Sequence, residues 1–336
     1  MPSSTRSPNR RDAHSARLVS RSLSGYLCGT HSGALRSRRG DHLPLHALAE
    51  AHRALEPSIE GVEVQLGGER WRPDERTARL AERLPPLLDD DSIVELVLFG
   101  SQARGGTTGF SDVDAILVIT DQAAGDPRLL RSLRPATLAA QREVLAYQPM
   151  QHHAFEVATP TLLGLAGDAL ALPRVALNET RSLGGDSVMA RFTAADSAAE
   201  RDRFRELASV LVGIDSWASH PWRAHRLISM FELLPAVYLQ ARGQHVPKWQ
   251  SFACAEDDFG DAWWPYEVLQ EVRSGWPPIQ SAGLRAAAAT LRNPWLAVAA
   301  WRRLPAQTPE PVSSLLTTDC LRGLQSLGRR MLESVS

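Results

Sequence analysis

The pattern of apolar and polar positions predicts a small mixed domain in the first half of the chain. An apolar run at 93–100, IVELVLFG, is short and ends in glycine, which is typical of a buried β-strand. A second run at 112–120, DVDAILVIT, predicts another strand, and HHAFEVAT at 152–159 predicts a third. Between the last two, DPRLLRSLRPATLAAQREVLAY has helical spacing and predicts one helix, or two helices broken at Pro135.

Asp74 is placed to cap a helix before the first strand, so the order is helix, strand, turn, strand, helix, strand. This order predicts an α/β or α+β domain over residues 74–160. Beyond residue 160 the patterns typical of β-strands become rare. A series of amphipathic helical patterns predicts an all-α domain over 191–336. A stretch with Pro and Gly at 161–190 is the predicted linker between the two domains.

The sequence before residue 74 gives weaker signals. Residues 1–42 are rich in Arg and Ser and lack apolar periodicity, so we expect a disordered or non-native extension. Its composition resembles an organellar transit peptide, and a spurious upstream start codon is the alternative. Residues 43–73 are a poorly defined lead-in, with a weak helical pattern at 43–56.

Composition narrows the class of protein. The chain has 336 residues, 43% of them hydrophobic and 22% charged, which is typical of a globular protein with two domains. The net charge of −1 argues against a long nucleic acid as partner. No apolar run reaches the roughly 18 residues of a membrane span, so no membrane partner is expected. The cysteines are few and widely spaced, so we expect a cytoplasmic protein: Cys28, Cys254 and Cys320.

Two aspartates interrupt the apolar run at 112–120. Side chains at i and i+2 share one face of a strand, so Asp112 and Asp114 are expected to project together. Paired carboxylates repel each other, and a divalent cation with oxygen ligands, such as Mg²⁺, removes that conflict. Upstream, Gly100 allows close backbone approach and Ser101 begins a short predicted helix, whose amides favour an anion. The stretch therefore predicts a site for a nucleoside triphosphate with Mg²⁺.

The motif Gly100-Ser101, ten intervening residues, then Asp112-Val113-Asp114 resembles the signature of the nucleotidyltransferase superfamily, the DNA-polymerase-β-like enzymes. The wording GSQARG and SDVDAILV is closest to the minimal and antibiotic-modifying branch. The likeness covers residues 93–160 well and the helical region only loosely. It implies a small mixed sheet flanked by helices, followed by an all-α domain.

The resemblance also implies roles for particular residues. Gly100, Ser101 and nearby amides would hold the β and γ phosphates, and Asp112 and Asp114 would hold two Mg²⁺ ions. Glu156, inside the third predicted strand, is the candidate third carboxylate, both metal ligand and base.

Four further positions have an alternative interpretation that is at least as strong. Arg104 is a candidate phosphate contact or an ordinary surface arginine. Lys248, the one lysine among 37 basic residues, is a candidate triphosphate contact from the second domain or a chance lysine. His152 and His153 adjoin Glu156, and because neighbouring residues of a strand face opposite ways, at most one of them could bind substrate or orient the Glu156 carboxylate. The alternative is one core histidine and one surface histidine.

The resemblance implies an Mg²⁺-dependent nucleotidyltransferase that transfers a nucleoside monophosphate, with AMP as the first candidate, from an NTP to a hydroxyl of a small-molecule acceptor. An aminoglycoside-like compound is the first candidate acceptor. A homodimer remains open, because some relatives build their site between two subunits. One alternative is a protein-AMPylating enzyme of toxin–antitoxin type. A second alternative is a nucleotide-binding module whose catalytic site has decayed.

Overall fold

The computed structural model describes residues 10–30, 43–56, 61–105, 107–165, 170, 174–184, 187–192, 197–277, 286–287 and 290–335. Within these ranges the chain divides into two compact units. The first unit takes residues 1–106, 112–194 and 281–301, and the second takes 107–111, 195–280 and 302–336.

The described helices are, in chain order, α1 (Arg10–Leu27), α2 (Leu45–Arg53), α3 (Ala78–Arg83), α4 (Gly100–Arg104), α5 (Asp121–Gly125), α6 (Pro127–Tyr147), α7 (Pro160–Leu163), α8 (Ser197–Val212), α9 (Pro221–Ala241), α10 (Lys248–Phe259), α11 (Trp264–Ser274), α12 (Trp295–Trp301), α13 (Glu310–Ser313) and α14 (Thr318–Ser334). The described strands are β1 (Val62–Leu66), β2 (Glu69–Arg70), β3 (Ile93–Phe99), β4 (Asp114–Ile119), β5 (Glu156–Ala158), β6 (Arg181–Ser182) and β7 (Val188–Phe192). Short 3₁₀ turns cover Pro85–Asp89, Arg174–Leu177 and Gly260–Trp263.

The first unit is built on a five-stranded sheet in the order β2-β6-β3-β4-β5. β3 runs antiparallel to β4 and β6, whereas β4 runs parallel to β5 and β2 parallel to β6, so the sheet is mixed. β1 pairs with β7 in a separate antiparallel sheet. This mixed sheet with its helices, together with the helical second unit, confirms the predicted fold class.

The positions of the central strands agree with the sequence prediction, but the residues at which the strands begin and end do not. β3 and β4 are buried over most of their length, which explains why both read as continuous apolar runs. β4 begins at Asp114, so Asp112 precedes the strand instead of lying in it. β5 is reduced to Glu156–Ala158. α6 is one continuous helix that contains Pro135.

The N-terminal region differs from the sequence expectation of disorder over 1–42. Residues 10–27 form α1, and residues 1–9 and 31–42 lie outside the described part of the chain. Four fully buried side chains join the core of the first unit at helical spacing: Ala16, Val19, Leu23 and Leu27. The many Arg and Ser residues between them concealed this apolar stripe.

α1 also completes the edge of the sheet. Ser20 donates its hydroxyl to the carbonyl of Val157 at 3.2 Å, and Ser24 accepts the Val157 amide at 2.8 Å. One turn further, the Cys28 thiol lies 3.7 Å from the carbonyl of Phe155. Residues four apart share a helix face, so one face of α1 satisfies the backbone groups that β5 would otherwise leave unpaired.

The first unit is wider than the predicted range of 74–160. The lead-in at 43–73 contributes α2, β1 and β2. The stretch predicted as a linker, 161–190, supplies β6, which lies between β2 and β3 in the sheet. A buried carboxylate, that of Glu95, accepts the amide of Gly184 at 2.9 Å and helps hold this stretch in place.

α12 also belongs to the first unit, although the sequence placed it in the helical domain at 191–336. Trp295 and Val298 of α12 are buried in one cluster with Leu145 of α6. The sequence pattern identified the helix but carried no information on which sheet or bundle it packs against.

The second unit is a helical bundle around α9. Most side chains of α9 are buried, and the helix packs against α8 and α10, while α14 packs against α8 and α11. None of the helices in the described ranges is both long enough and apolar enough to span a membrane.

We predict that Leu23→Ala lowers the free energy of unfolding by about 2–5 kcal/mol, because it leaves a cavity at a fully buried position. Urea unfolding followed by circular dichroism measures this. His14→Ala, at an exposed position of α1, is the control and is expected to change stability by less than about 0.5 kcal/mol. Equal, negligible effects of both substitutions would mean that α1 does not belong to the folded core.

Candidate active site

The turn after β3 sets the position of one predicted metal ligand. Phe99 pairs with Asp114 across the antiparallel strands, and Gly100 follows with a φ of +66°. A Cβ at Gly100 would lie 2.5 Å from Oδ2 of Asp114. The glycine is therefore required twice, for its left-handed backbone and for the carboxylate packed against it.

Asp112 is held through its backbone. Its carbonyl accepts a hydrogen bond from Nε2 of Gln102 at 3.1 Å, and the carbonyl of Gln102 accepts the indole N–H of Trp71 at 2.9 Å. The side chain of Asp112 is 10% exposed and that of Asp114 is 27% exposed. Both carboxylates are thus partly shielded from water yet accessible to a ligand.

Gln151 fixes the residue between the two aspartates. Its Oε1 accepts the amide of Val113 at 2.9 Å, and its Nε2 donates to the carbonyl of Val113 at 2.9 Å and to that of His153 at 3.0 Å. Gln151 is fully buried. Its amide group thus pairs with the backbone of Val113 as a neighbouring strand would, and it ties the segment 151–153 to the aspartates.

Both histidines contact the aspartates, whereas the sequence analysis expected at most one of them to take part in the site, and related it to Glu156. Nδ1 of His152 lies 2.7 Å from Oδ2 of Asp112, and Nε2 of His153 lies 2.9 Å from Oδ1 of Asp114. The expectation assumed a strand over 152–159, but β5 begins only at Glu156. The irregular backbone before it frees both side chains from strand alternation.

The aspartates control the charge of His153. Burial alone would lower its pKa, but the hydrogen bond to Asp114 and the charges of Asp114 and Asp112 outweigh burial and raise the pKa to about 9. The imidazolium is the favoured form at neutral pH, and it offsets the repulsion between the two carboxylates.

Glu156 lies on the strand next to the aspartates. It stands opposite Ile116 in the parallel pairing of β4 and β5, two residues along β4 from Asp114. Neighbouring residues of paired strands share a face, so Glu156 lies on the Asp114 face of the sheet. Burial raises the pKa of its carboxyl group, against the charges of His153 and Arg21, which lower it.

A comparison with protein families identifies this part of the chain. Residues 80–148, which run from α3 through the turn and both aspartates to the end of α6, match the family model described as a nucleotidyltransferase domain. This segment of the chain is therefore similar to nucleotidyltransferase domains. The resemblance drawn from the Gly-Ser and Asp-x-Asp motifs is confirmed at the level of the superfamily. No curated protein matches the chain.

The remaining predicted residues of the nucleotidyltransferase domain lie on α4. Gly100 and Ser101 begin this helix directly after β3, and the first amides of a helix have no partner within the helix. Arg104 lies at the end of α4 and its guanidinium is 3.5 Å from the carboxylate of Glu179. Both side chains are about one-third exposed, so this ion pair is weak and open to exchange with a stronger anion.

Lys248 lies in the second unit, where it shares an ion-pair partner with Arg273. The sequence did not indicate this partner. The buried carboxylate of Glu232, on α9, lies 3.1 Å from Nζ of Lys248 and 3.0 Å from a guanidinium nitrogen of Arg273. Two cations, each about one-third exposed, therefore converge on one carboxylate that is 1% exposed. Glu232 and Arg273 lie 41 positions apart, and no motif relates them.

The residues of the first unit fit a divalent metal of the kind that nucleotidyltransferases use. Asp112 and Asp114 supply carboxylate oxygens, the donors that Mg²⁺ prefers, and the Gly100 turn keeps the Asp114 carboxylate in place. The histidines and Gln151 are further parts of this site. In the sequence, the one indication that these three residues belong to the site was their position shortly before Glu156.

We predict that Gly100→Ala destabilises the protein more than Gly105→Ala. Gly105 has a φ of +80° and a ψ of 175° but open space around it, so its substitution measures the backbone cost alone, about 1–3 kcal/mol. At Gly100 the added methyl group must also displace Asp114, which we expect to cost at least about 1 kcal/mol more. Denaturant unfolding of both variants gives the difference. Equal losses would show that Asp114 does not depend on the glycine.

Proposed function

We propose that this chain is an Mg²⁺-dependent enzyme that transfers a nucleoside monophosphate, with AMP favoured, from an NTP to a hydroxyl group of a small-molecule acceptor. The observation that carries the proposal is the pair Asp112 and Asp114 beside the Gly100 turn, inside a nucleotidyltransferase domain. The net charge of −1 supports a small acceptor, because a long nucleic acid requires a basic track.

In this proposal the first unit binds the nucleotide through two groups of residues. Ser101 and the amides of the turn bind the β and γ phosphates, with Arg104 as a further phosphate contact. Asp112 and Asp114 hold the metal, with Glu156 as the third carboxylate of the set. When bound, Mg²⁺ neutralises the triphosphate and stabilises the charge that develops on the entering and leaving oxygens.

Glu156 is the proposed general base. The acceptor hydroxyl gives its proton to the Glu156 carboxylate, its oxygen forms a bond to the α-phosphorus, and the bond from that phosphorus to the pyrophosphate oxygen breaks. Pyrophosphate leaves with the electron pair of that bond. The raised pKa of Glu156 supports this role, because a carboxylate with a higher pKa accepts a proton more readily.

The acceptor is the least constrained part of the proposal. Aminoglycoside-like compounds are the first to screen, since the motif wording is closest to the antibiotic-modifying branch. A protein acceptor would instead make the chain a protein-AMPylating enzyme, which labelled ATP and mass spectrometry of modified proteins would reveal.

We predict that an NTP with Mg²⁺ raises the melting temperature, and that Asp112→Asn and Asp114→Asn each abolish the Mg²⁺-dependent part of the shift. A ligand at 100 times its dissociation constant stabilises a protein by about 2.7 kcal/mol, which a thermal-shift titration detects easily. Asp91→Asn, at an exposed turn before β3, is the control and should keep the shift. If no NTP shifts the wild-type protein, the site is a decayed one and the enzyme proposal fails.

We predict that Glu156→Gln separates binding from turnover. The variant should retain the shift with NTP and Mg²⁺, because Asp112 and Asp114 remain, whereas pyrophosphate release with a productive acceptor should fall at least about 100-fold. Release at the wild-type rate would remove Glu156 as the base. Loss of the NTP shift itself would assign Glu156 to metal binding alone.

A further inference from the structure

Two arginine side chains contact one buried tryptophan in the second unit. Trp222, in the first turn of α9, is 6% exposed. The guanidinium carbon of Arg302 lies 3.3 Å from the centroid of the Trp222 ring, and that of Arg226, one turn further along α9, lies 5.8 Å from it. Both distances are within the range of a cation–π interaction, so two positive charges share one aromatic side chain.

No acidic side chain neutralises these two charges in the part of the chain that the structure describes. There, neither Arg226 nor Arg302 forms an ion pair with a carboxylate. Burial lowers the pKa of Arg302 to about 10, and the positive charge of Arg226 adds to the decrease. The guanidinium group still carries its charge at neutral pH. A partly buried cation in this position is stabilised by an anion that binds to it.

The nitrogen atoms of Arg302 that lack a partner lie on one edge of its guanidinium group. Nε and Nη2 are both buried, and neither has a hydrogen-bond partner among the described residues. The N–H bonds on this edge are parallel, and they bind two oxygens of one carboxylate or phosphate side by side. The indole N–H of Trp222 is buried and has no partner among those residues either. The two contacting side chains therefore offer three donors that require acceptor oxygens.

Hydrogen bonds hold the chain segments that carry these donors. Thr308 donates its amide and its hydroxyl to the carbonyl of Ser219, at 2.8 Å and 2.9 Å. The amide of Trp222 donates to Nδ1 of His220 at 3.2 Å. The segment that follows Arg302 is thus tied to the residues just before α9, which favours a fixed arrangement of the donors before a ligand binds.

The donor edge of Arg302 lies close to the protein surface. Arg302 is itself partly exposed, and both Arg226 and Arg303 are exposed. The arginine side chain is long and has several rotatable bonds, so its rotation away from Trp222 presents Nε and Nη2 to a ligand in solvent. The charge of Arg226 favours the approach of an anion to the same place.

We propose that Arg302, Arg226 and Trp222 form a binding site for a phosphate group. Nε and Nη2 of Arg302 donate to two phosphate oxygens, the indole N–H of Trp222 donates to a third, and Arg226 supplies the second positive charge. A phosphate group fits better than a carboxylate, because it carries up to two negative charges and presents three acceptor oxygens. This site lies in the second unit, and the inference does not rest on the proposed function.

The test is a thermal-shift titration of the full chain with inorganic phosphate in the presence of EDTA, with sodium chloride at equal ionic strength as the reference. We expect the melting temperature of the wild-type protein to rise to a plateau. Arg302→Lys keeps the charge but loses the parallel donors, so its dissociation constant should be at least ~10-fold higher. Arg303→Lys makes the same change at the next, exposed residue and should stay within ~2-fold of the wild type.

A second pair of variants keeps the test decisive if Arg302→Lys does not fold. Arg226→Gln removes one charge from an exposed position, where loss of the fold is not expected, and should weaken phosphate binding by ~3-fold or more. Arg329→Gln removes one charge from an exposed position of α14 and is the matched control, with an expected change below ~2-fold.

Two further ligands define the chemistry of the site. Acetate should give a clearly smaller shift than phosphate, and an equal shift that Arg302→Lys removes would overturn the assignment to phosphate in favour of a carboxylate. Glycerol 3-phosphate distinguishes the source of the phosphate group. Tighter binding than inorganic phosphate supports a phosphorylated small molecule as ligand, and weaker binding supports free phosphate.

Two results would overturn the inference as a whole. The first is a wild-type protein that phosphate stabilises no more than chloride does, which would mean that Arg302 only packs against Trp222. The second is a phosphate-dependent shift that Arg226→Gln and a folded Arg302→Lys both retain in full, which would place the bound phosphate elsewhere on the chain.

Discussion

The pairing of Phe99 with Asp114 across β3 and β4 is the contact on which the rest of the site depends. It brings the end of one apolar strand beside the beginning of another, so that the carboxylate of Asp114 packs against the backbone of Gly100. Only glycine permits both that approach and the positive φ of the turn. The packing of the hydrophobic sheet and the position of the Asp114 carboxylate therefore depend on the same strand pairing. A change in the register of β3 against β4 would disrupt both.

A pair of carboxylates at the end of a buried strand has to be compensated by its surroundings. The chain supplies two imidazole rings and the amide of Gln151, and all three come from the irregular segment before β5. The same irregularity that shortens β5 is what allows adjacent side chains to act on the same side. A regular strand in this place would have turned one histidine away from the aspartates.

The edge of the sheet shows how a polar sequence stabilises a fold. β5 has β4 on one side, and on the other side the hydroxyl groups of Ser20 and Ser24 pair with the backbone of Val157.

The second unit compensates a buried group in another way. The carboxylate of Glu232 is neutralised by Lys248 and Arg273. Burial of a carboxylate is tolerated there because two cations share it.

The sequence by itself determined the central strands, the turn at Gly100, the two aspartates and the resemblance to nucleotidyltransferase domains, because these features are local: apolar runs, a glycine and fixed spacings. It did not determine that α1 and α12 belong to the first unit or that 161–190 supplies β6, since packing partners distant in sequence decide those placements. It likewise gave no sign that Gln151 would pair with Val113 or that both histidines would reach the aspartates. Those contacts depend on where β5 begins, and tertiary packing of a short strand sets that boundary rather than intrinsic β-propensity.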